Sequence, residues 1–372
     1  MQTRRAKPKY HSRTTSSRRG GCPLSGAGLG LLAICIGALL GGGWWIWQTV
    51  STSLVRSEAV VPAAAMPQES TATATATMQP TSQIITQEPL PAPSIVPTTP
   101  PVATTLPTSP AEQFIIRAPE LEEVMLTAIN RDRIDQGLSP VVWDPVAALA
   151  GSLHAADMAA NNYFSHWSMN GRGPEWRYQQ QGGLHTVMEN IYTYGSWWDN
   201  GSPAPLNDLQ TVVEDAQQAL MNSPGHRRNI LNPTHTHVGV GFAYNPDTGR
   251  FYLAQEFVGQ YVGIESMPAT ARLGDRITVV GRLQPETTDP YLNLTFQTFP
   301  ESMNIEDLNA TSTYARQAEI YASVPVRIDA QGTFRAEVPL DYNGQAGVYS
   351  IRVWVTVADE QLLASEWLLD VE

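Results

Sequence analysis

Three residues bring reactive side chains into distinct local contexts in this sequence. His166 lies in a loop after a predicted helix, Glu189 lies in a strand-like segment, and His226 follows Ser-Pro-Gly at the start of a helical turn. Imidazole and carboxylate groups bind Zn²⁺ and other divalent metals, and three protein ligands leave a position open for water. The three residues are far apart in sequence, so the fold must bring them together. Spacing alone leaves both a metal site and a purely structural role open.

The turn that carries His226 has a clear helix-start pattern. Ser223 is placed as an N-cap, and Pro224 occupies the first helical position. A helix N-terminus lowers the pKa of a nearby imidazole, because the positive end of the helix dipole opposes protonation. We therefore expect His226 to be neutral and able to act as a ligand.

Two residue types that support other chemistries are missing beyond the N-terminus. Lys7 and Lys9 are the only lysines, so nothing after them can form a Schiff base or a P-loop. Cys22 and Cys35 are the only cysteines, and both lie in or beside an apolar N-terminal segment. The folded part therefore has no disulfide, thiol nucleophile or thiolate ligand. Any catalyst must use histidine, carboxylates, hydroxyls or a metal bound by nitrogen and oxygen.

The other histidines beyond the N-terminal segment have simpler interpretations. His154 lies in the middle of a helix beside apolar residues and is expected to be a core histidine. His185 follows two glycines and is expected on a loop surface. His235 and His237 alternate at a strand entry, where they either share one strand face or are exposed.

The N-terminus predicts a membrane anchor. Residues 1–19 are basic and contain no acid, and residues 27–50 are almost continuously apolar, which is long enough to cross a bilayer. Three tryptophans near residue 45 suit an interfacial belt. We predict a cytoplasmic arm (residues 1–26), an uncleaved signal anchor (residues 27–50) and folded domains outside the cell. Secretion after signal cleavage is the alternative.

Residues 51–112 and the overall charge set further limits. This segment is rich in Ser, Thr, Pro and Ala and is predicted to be a disordered linker. The formal net charge is −12, and because the basic residues cluster in the N-terminal arm, the rest is more acidic still. Such a surface repels phosphate backbones, so no nucleic-acid partner is expected.

The remaining sequence predicts two folded domains, which we call the first domain (residues 113–262) and the second domain (residues 263–372). The first domain alternates helical patterns with a predicted hairpin at residues 238–258, turned by Asn-Pro-Asp-Thr-Gly. The second domain contains short alternating strands separated by turn signals. This pattern of strands and turns predicts an all-β sandwich of immunoglobulin-like type.

Residues 118–260 resemble the CAP superfamily, also called the SCP domain, in its short cysteine-free bacterial form. Each motif is weak alone, but their order and spacing are specific. The matching stretches are AINR at 128–131, LSPVVWD at 138–144, HAADM at 154–158, YFSH at 163–166, GR at 171–172, ENI at 189–191, MNSPGHRRNILNP at 221–233 and VGVG at 238–241.

The resemblance implies an α-β-α sandwich with a broad cleft, lined in many members by two histidines and two glutamates and associated with divalent metal. Carried over by motif, the histidines are His166 and His226, and the first glutamate is Glu189. Where the second acid is expected, this chain has Ser223. The resemblance thus implies an α+β chain with a Zn²⁺ or other divalent-metal site that lacks an obvious second carboxylate.

Three functions follow as hypotheses. The leading one is binding of a lipid, protein or other envelope ligand in the cleft of a membrane-anchored extracellular protein. The first alternative is a metal-dependent hydrolase of peptide or cell-wall material, with His166, Glu189 and His226 as catalytic candidates. The second alternative is a surface adhesin that acts through the second domain.

Overall fold

A computed structural model describes residues 9–13, 110–265, 267–268, 270–314 and 319–372, which belong to one compact unit. The predicted signal anchor lies outside the described residues, as does the predicted linker apart from its last three positions. In the described part of the chain, no helix combines the length and apolar character needed to cross a bilayer.

The first domain has three layers. Its elements are β1 (Lys9–Arg13), a 3-10 helix (Pro110–Phe114), α1 (Pro119–Ile134), β2 (Val142–Trp143), α2 (Pro145–Asn161), α3 (Pro174–Gln180), β3 (Thr186–Trp197), α4 (Leu209–Asn222), α5 (Pro224–Ile230), β4 (His237–Asn245) and β5 (Arg250–Gly259). The sheet order is β1-β3-β5-β4-β2, with β2 parallel to β4 and the other pairs antiparallel. Helices α1 and α4 share an apolar core with one face of this sheet, and α2 packs on the other. The expected α-β-α arrangement is present.

Local sequence signals place α2 on the sheet. Asp144 caps the helix, because its Oδ1 accepts hydrogen bonds from the backbone N–H groups of Val146 (2.8 Å) and Ala147 (3.1 Å). Gly239 and Gly241 then let the helix backbone approach β4. A Cβ at Gly239 would lie 2.0 Å from Ala148 N, so any larger residue there would displace the helix.

The second domain is a two-sheet sandwich. Its elements are β6 (Val262–Ile264), β7 (Thr270–Ala271), β8 (Arg276–Leu283), β9 (Thr288–Gln297), α6 (Ile305–Ala310), β10 (Glu319–Val324), β11 (Arg327–Ile328), β12 (Thr333–Pro339), β13 (Gly347–Val357) and β14 (Glu360–Val371). The sheet orders are β10-β9-β13-β14-β7 and β11-β12-β8-β6. Both sheets contribute to one buried core. The sandwich begins at Val262, one residue before the predicted boundary, and its immunoglobulin-like type stays a prediction.

Strand β1 bears on the predicted topology. Its residues pair antiparallel with the end of β3, from Lys9 opposite Trp197 to Arg13 opposite Thr193. A chain threaded through a bilayer by residues 27–50 would place these two strands on opposite sides of it. The pairing and the predicted cytoplasmic arm therefore exclude each other in one molecule.

Candidate functional site

Two of the three predicted site residues meet in a direct contact. His166 Nδ1 lies 2.7 Å from Glu189 Oε1, and Arg177 Nη2 donates to Glu189 Oε2 at 2.6 Å. Arg177 Nη1 also donates to the carbonyl oxygen of His166 at 2.9 Å. The carboxylate is thus held between an imidazole and a guanidinium, and all three side chains are buried. Both oxygens of Glu189 are engaged.

Different elements supply this cluster. Glu189 points from β3 toward the α2 side of the sheet, and α2 contributes His154, whose Nε2 lies 3.8 Å from Glu189 Oε2. His154 Nε2 donates to the Ser165 carbonyl oxygen at 2.9 Å, which anchors the loop that carries His166. Arg177 comes from α3. The expectation that His154 is a core histidine is confirmed, since it is fully buried.

The charges of the cluster fix its protonation. Burial alone would raise the pKa of Glu189, but Arg177 and the neighbouring histidines outweigh it and hold the pKa well below its usual range. Burial and the charge of Arg177 lower the pKa of His154 to about 3. Glu189 is therefore an anion and His154 a neutral imidazole at physiological pH.

Glu256 is a second buried acid that the sequence interpretation missed. It stands directly opposite Glu189 in the β3–β5 pair, is fully buried, and neither of its side-chain oxygens accepts a hydrogen bond from a described residue. Burial, and then the charge of Glu189, raise its pKa well above the usual range. Glu256 is thus a neutral acid beside the Glu189 carboxylate.

His226 lies close enough to His166 for their charges to interact, and its pKa is lowered, as expected. Ser223 occupies the N-cap position and Pro224 the first helical position, yet the Ser223 hydroxyl makes no capping hydrogen bond. Burial, and then the charge of His166, lower the pKa of His226 to about 4. Asn190, next to Glu189, donates to the His226 carbonyl oxygen at 3.3 Å.

Two of the other histidines depart from expectation. His185 is half-buried rather than on a loop surface, and burial lowers its pKa to about 4. His235 is buried rather than exposed at the strand entry, stacks on Phe257 with 5.0 Å between ring centroids, and bonds Asn229 Oδ1 through Nε2 at 2.8 Å. His237 bonds Thr236 Oγ1 through Nδ1 at 2.8 Å. Neither contacts the Glu189 cluster.

The second domain covers the site. Residues 309–314, which we call the covering segment, run along the loop that carries His166. The ring of Tyr314 packs against that of His166 in a tilted arrangement, with 4.7 Å between ring centroids and 50° between ring planes, and its hydroxyl oxygen accepts a hydrogen bond from the Glu189 backbone N–H at 3.0 Å. Trp167 Nε1 donates to the carbonyl oxygen of Thr313 at 2.9 Å.

Two further contacts hold the start of the covering segment. The Phe164 backbone N–H donates to Asn309 Oδ1 at 2.8 Å, and the hydroxyl oxygens of Ser165 and Thr311 lie 2.6 Å apart. The segment therefore follows the loop from Phe164 to Trp167 in the same chain direction. A residue of the second domain completes the surroundings of His166.

Metal binding by His166, Glu189 and His226 stays a prediction. Across the described ranges, no three His, Cys, Asp or Glu side chains are grouped to hold a metal ion. Glu189 does not fit as a ligand, because both oxygens accept hydrogen bonds and the adjacent Arg177 cation would repel a divalent ion.

Comparisons with known proteins agree with this fold. Residues 126–257 match the family model described as CAP, cysteine-rich secretory protein family. The uncharacterised protein YkwD of Bacillus subtilis (strain 168) is 32% identical over 140 residues, which cover 37% of this chain and 47% of that protein. The uncharacterised membrane protein YlbC of the same organism is 32% identical over 140 residues, covering 38% and 35%. The chain spans less than half the length of either relative.

Two solved structures are also similar. An extracellular protein containing a SCP domain from Bacillus anthracis str. Ames shares 29% identity, with 38% of this chain and 41% of that chain covered and a TM-score of 0.30. An outer surface protein from Borrelia burgdorferi shares 16% identity, with 39% and 98% covered and a TM-score of 0.31.

The family match defines the class of this part of the first domain. Residues 126–257 are a CAP domain, the module also called SCP. The expected family resemblance is confirmed for this part of the chain.

Proposed function

We propose that this chain presents its CAP domain at the cell envelope as a module that binds an extended polypeptide across the His166–Glu189 cleft. One observation carries the proposal: an extended stretch of polypeptide already lies there. Thr311 has the extended backbone angles φ −74° and ψ 147°. From Thr311 to Tyr314, side-chain and main-chain hydrogen bonds hold the covering segment against the CAP domain. A cleft that accepts this segment offers the same groups to a similar one from another protein.

The geometry favours binding over hydrolysis. Glu189 is saturated by His166 and Arg177, so its carboxylate is not placed to activate water. The groups that face the covering segment are two backbone N–H groups, a hydroxyl, an imidazole ring and an indole N–H, which recognise a polypeptide without reacting with it. The adhesin hypothesis for the second domain stays a prediction.

The envelope location rests on the N-terminal sequence. The apolar stretch at residues 27–50 suits a membrane anchor, and one relative bears the name of a membrane protein. Partners in this setting are proteins of the envelope whose extended segments carry an aromatic side chain. Lipid binding in the cleft is less favoured, because the groups that meet the covering segment are largely hydrogen-bonding groups.

The test uses a labelled peptide with the sequence of residues 305–314 and fluorescence anisotropy. The wild-type chain should bind it weakly, because its own segment is present at a millimolar-scale effective concentration. Tyr314→Ala should release the cleft and bind the peptide at least about tenfold more tightly. Tyr291→Ala, which changes an exposed tyrosine of the same domain, is the matched control and should behave as wild type.

Two results decide the outcome. A peptide in which the last tyrosine is alanine should not bind the Tyr314→Ala chain, and His166→Ala introduced into that chain should abolish binding. If the Tyr314→Ala chain binds neither peptide, the cleft does not recognise the segment and the proposal is wrong.

A further inference from the structure

A cavity of about 450 Å³ lies between the CAP domain and the sandwich, next to the covered cleft. Its walls come from both domains and include Trp167, Glu175 and Met188 on one side and Arg352, Leu363 and Glu366 on the other. This volume is in the range of small-molecule sites. Most of the wall is apolar, so its few charged groups decide what it can hold.

The cations of the cavity are already neutralised. Arg352 Nε lies 2.8 Å from Glu366 Oε1, which also accepts from Ser350 Oγ at 2.6 Å. Arg172 Nη2 donates to both Asp370 oxygens, at 2.9 and 2.8 Å. Glu175 differs, because no described arginine or histidine forms an ion pair with it. The cavity wall therefore has one uncompensated negative charge when Glu175 is ionised.

An aromatic ring lies beside that carboxylate. The point where Gly173 would place a Cβ is 2.9 Å from Glu175 Oε2 and 3.3 Å from Trp167 Cζ3. The carboxylate and the indole edge thus lie close to one another beside Gly173. A carboxylate attracts an ammonium group, and an adjacent indole edge gives the methylene carbons next to that group an apolar surface.

We propose that this interdomain cavity binds an ammonium group carried on an apolar stem, with Glu175 as its counter-charge and Trp167 beside it. The stem contacts the apolar wall around Met188 and Leu363. The site is separate from the proposed peptide cleft, although Trp167 and Tyr314 contribute to both. An anionic ligand is disfavoured, because the two arginines already have acidic partners.

The ionisation of Glu175 supplies an additional readout. Burial, and then the charge of Glu366, raise the pKa of Glu175 to about 7, against the opposing effect of Arg177. Glu189 acts in the same direction as Glu366, and Arg172 and Arg352 also face the cavity. Protons and ammonium compete for this carboxylate, so ammonium affinity should rise as the pH passes through about 7.

Isothermal titration of the full chain with hexylammonium, hexanol and hexanoate tests the proposal. Hexylammonium should bind about tenfold or more tightly than either other compound. Glu175→Gln should reduce its affinity to that of hexanol and remove the pH dependence. Glu360→Gln, at an exposed acid of β14, is the matched control and should leave affinity unchanged. Thermal melting of each variant confirms folding.

The outcomes are distinct from those of the peptide experiment. Equal affinity for hexylammonium and hexanol would show an apolar cavity without cation recognition. Undiminished binding to a folded Glu175→Gln chain would place the cation elsewhere, and no binding of any probe would show that the cavity is not a site. Each of these results overturns the proposal and leaves the peptide cleft unaffected.

Discussion

Replacement of Arg177 by methionine tests the buried ion pair of the CAP site. The guanidinium makes three hydrogen bonds, to Glu189 Oε2 (2.6 Å), the His166 carbonyl oxygen (2.9 Å) and Ser168 Oγ (3.2 Å). Arg177→Met leaves the fully buried Glu189 carboxylate without its cation. Removal of one partner of a buried pair costs about 3–5 kcal/mol. For a domain of this size, the melting temperature should fall by about 6–20 °C.

The pH dependence separates loss of charge pairing from loss of packing. The depressed pKa of Glu189 stabilises the fold above its unfolded pKa of about 4.3, and this contribution disappears as pH falls through the folded pKa. Without Arg177, the folded pKa of Glu189 moves upward. The deficit of Arg177→Met should therefore be largest at neutral pH and shrink as the pH is lowered toward about 4.

Differential scanning calorimetry of the full chain measures both effects. The matched control is Arg335→Met, which removes an exposed arginine from a 3.7 Å ion pair and should change stability by no more than about 0.5 kcal/mol. The double variant Arg177→Met with Glu189→Gln should be more stable than Arg177→Met alone, because it removes the orphaned charge. A melting temperature for Arg177→Met within about 2 °C of wild type would refute the reasoning.

Three further predictions concern the second acid, the topology and the metal. The raised pKa of Glu256 means that the folded state retains a proton that the unfolded state loses. The stability of Glu256→Gln relative to wild type should therefore increase by about 1.4 kcal/mol per pH unit from the unfolded pKa of about 4.3 up to the folded pKa, and urea titrations at several pH values that show no such trend would contradict this. The predicted anchor places Cys22 inside the cell, so a membrane-impermeant maleimide should modify it only after cells are permeabilised. Ser57→Cys is the external control, and labelling of Cys22 in intact cells would instead favour the β1–β3 pairing. Because both oxygens of Glu189 accept hydrogen bonds, dialysis of the full chain against zinc should give well under one zinc per chain, and His166→Ala should not change that ratio. A ratio of one zinc per chain that is lost in His166→Ala would instead support the metal prediction.

Several parts of the fold could be predicted because their causes are local. Asp144 and Pro145 specify the start of α2 through capping and a fixed φ, and the structure shows both. The hairpin of β4 and β5 follows from alternating apolar residues and a turn with Gly249 at φ +67°. The pairing of His166 with Glu189 followed from motif order, which reflects a shared fold.

The rest of the site depends on contacts that no local pattern reveals. Glu256 stands in the largely apolar sequence run of β5, and a charged residue in such a run is a signal that could have identified it. Arg177 lies among polar and aromatic residues, so the sequence did not mark it as buried. Tyr314 offered no such signal, because it lies in a connection of the second domain and reaches His166 only through domain packing. The burial of His226 and its neighbour His166, which both lower its pKa, likewise depend on the assembled fold.

The two glycines of β4 set the distance between α2 and the sheet at the site. A Cβ at Gly241 would lie 2.0 Å from Ser152 N, so α2 rests on bare strand backbone. His154 lies two residues after Ser152 on that helix, and its Nε2 lies 3.8 Å from Glu189 Oε2 at this spacing between helix and sheet. A single methyl group at either glycine would lift the helix and lengthen that distance without altering any polar side chain. The distance from His154 to the Glu189 carboxylate thus depends on two strand positions under α2 that contribute no functional group.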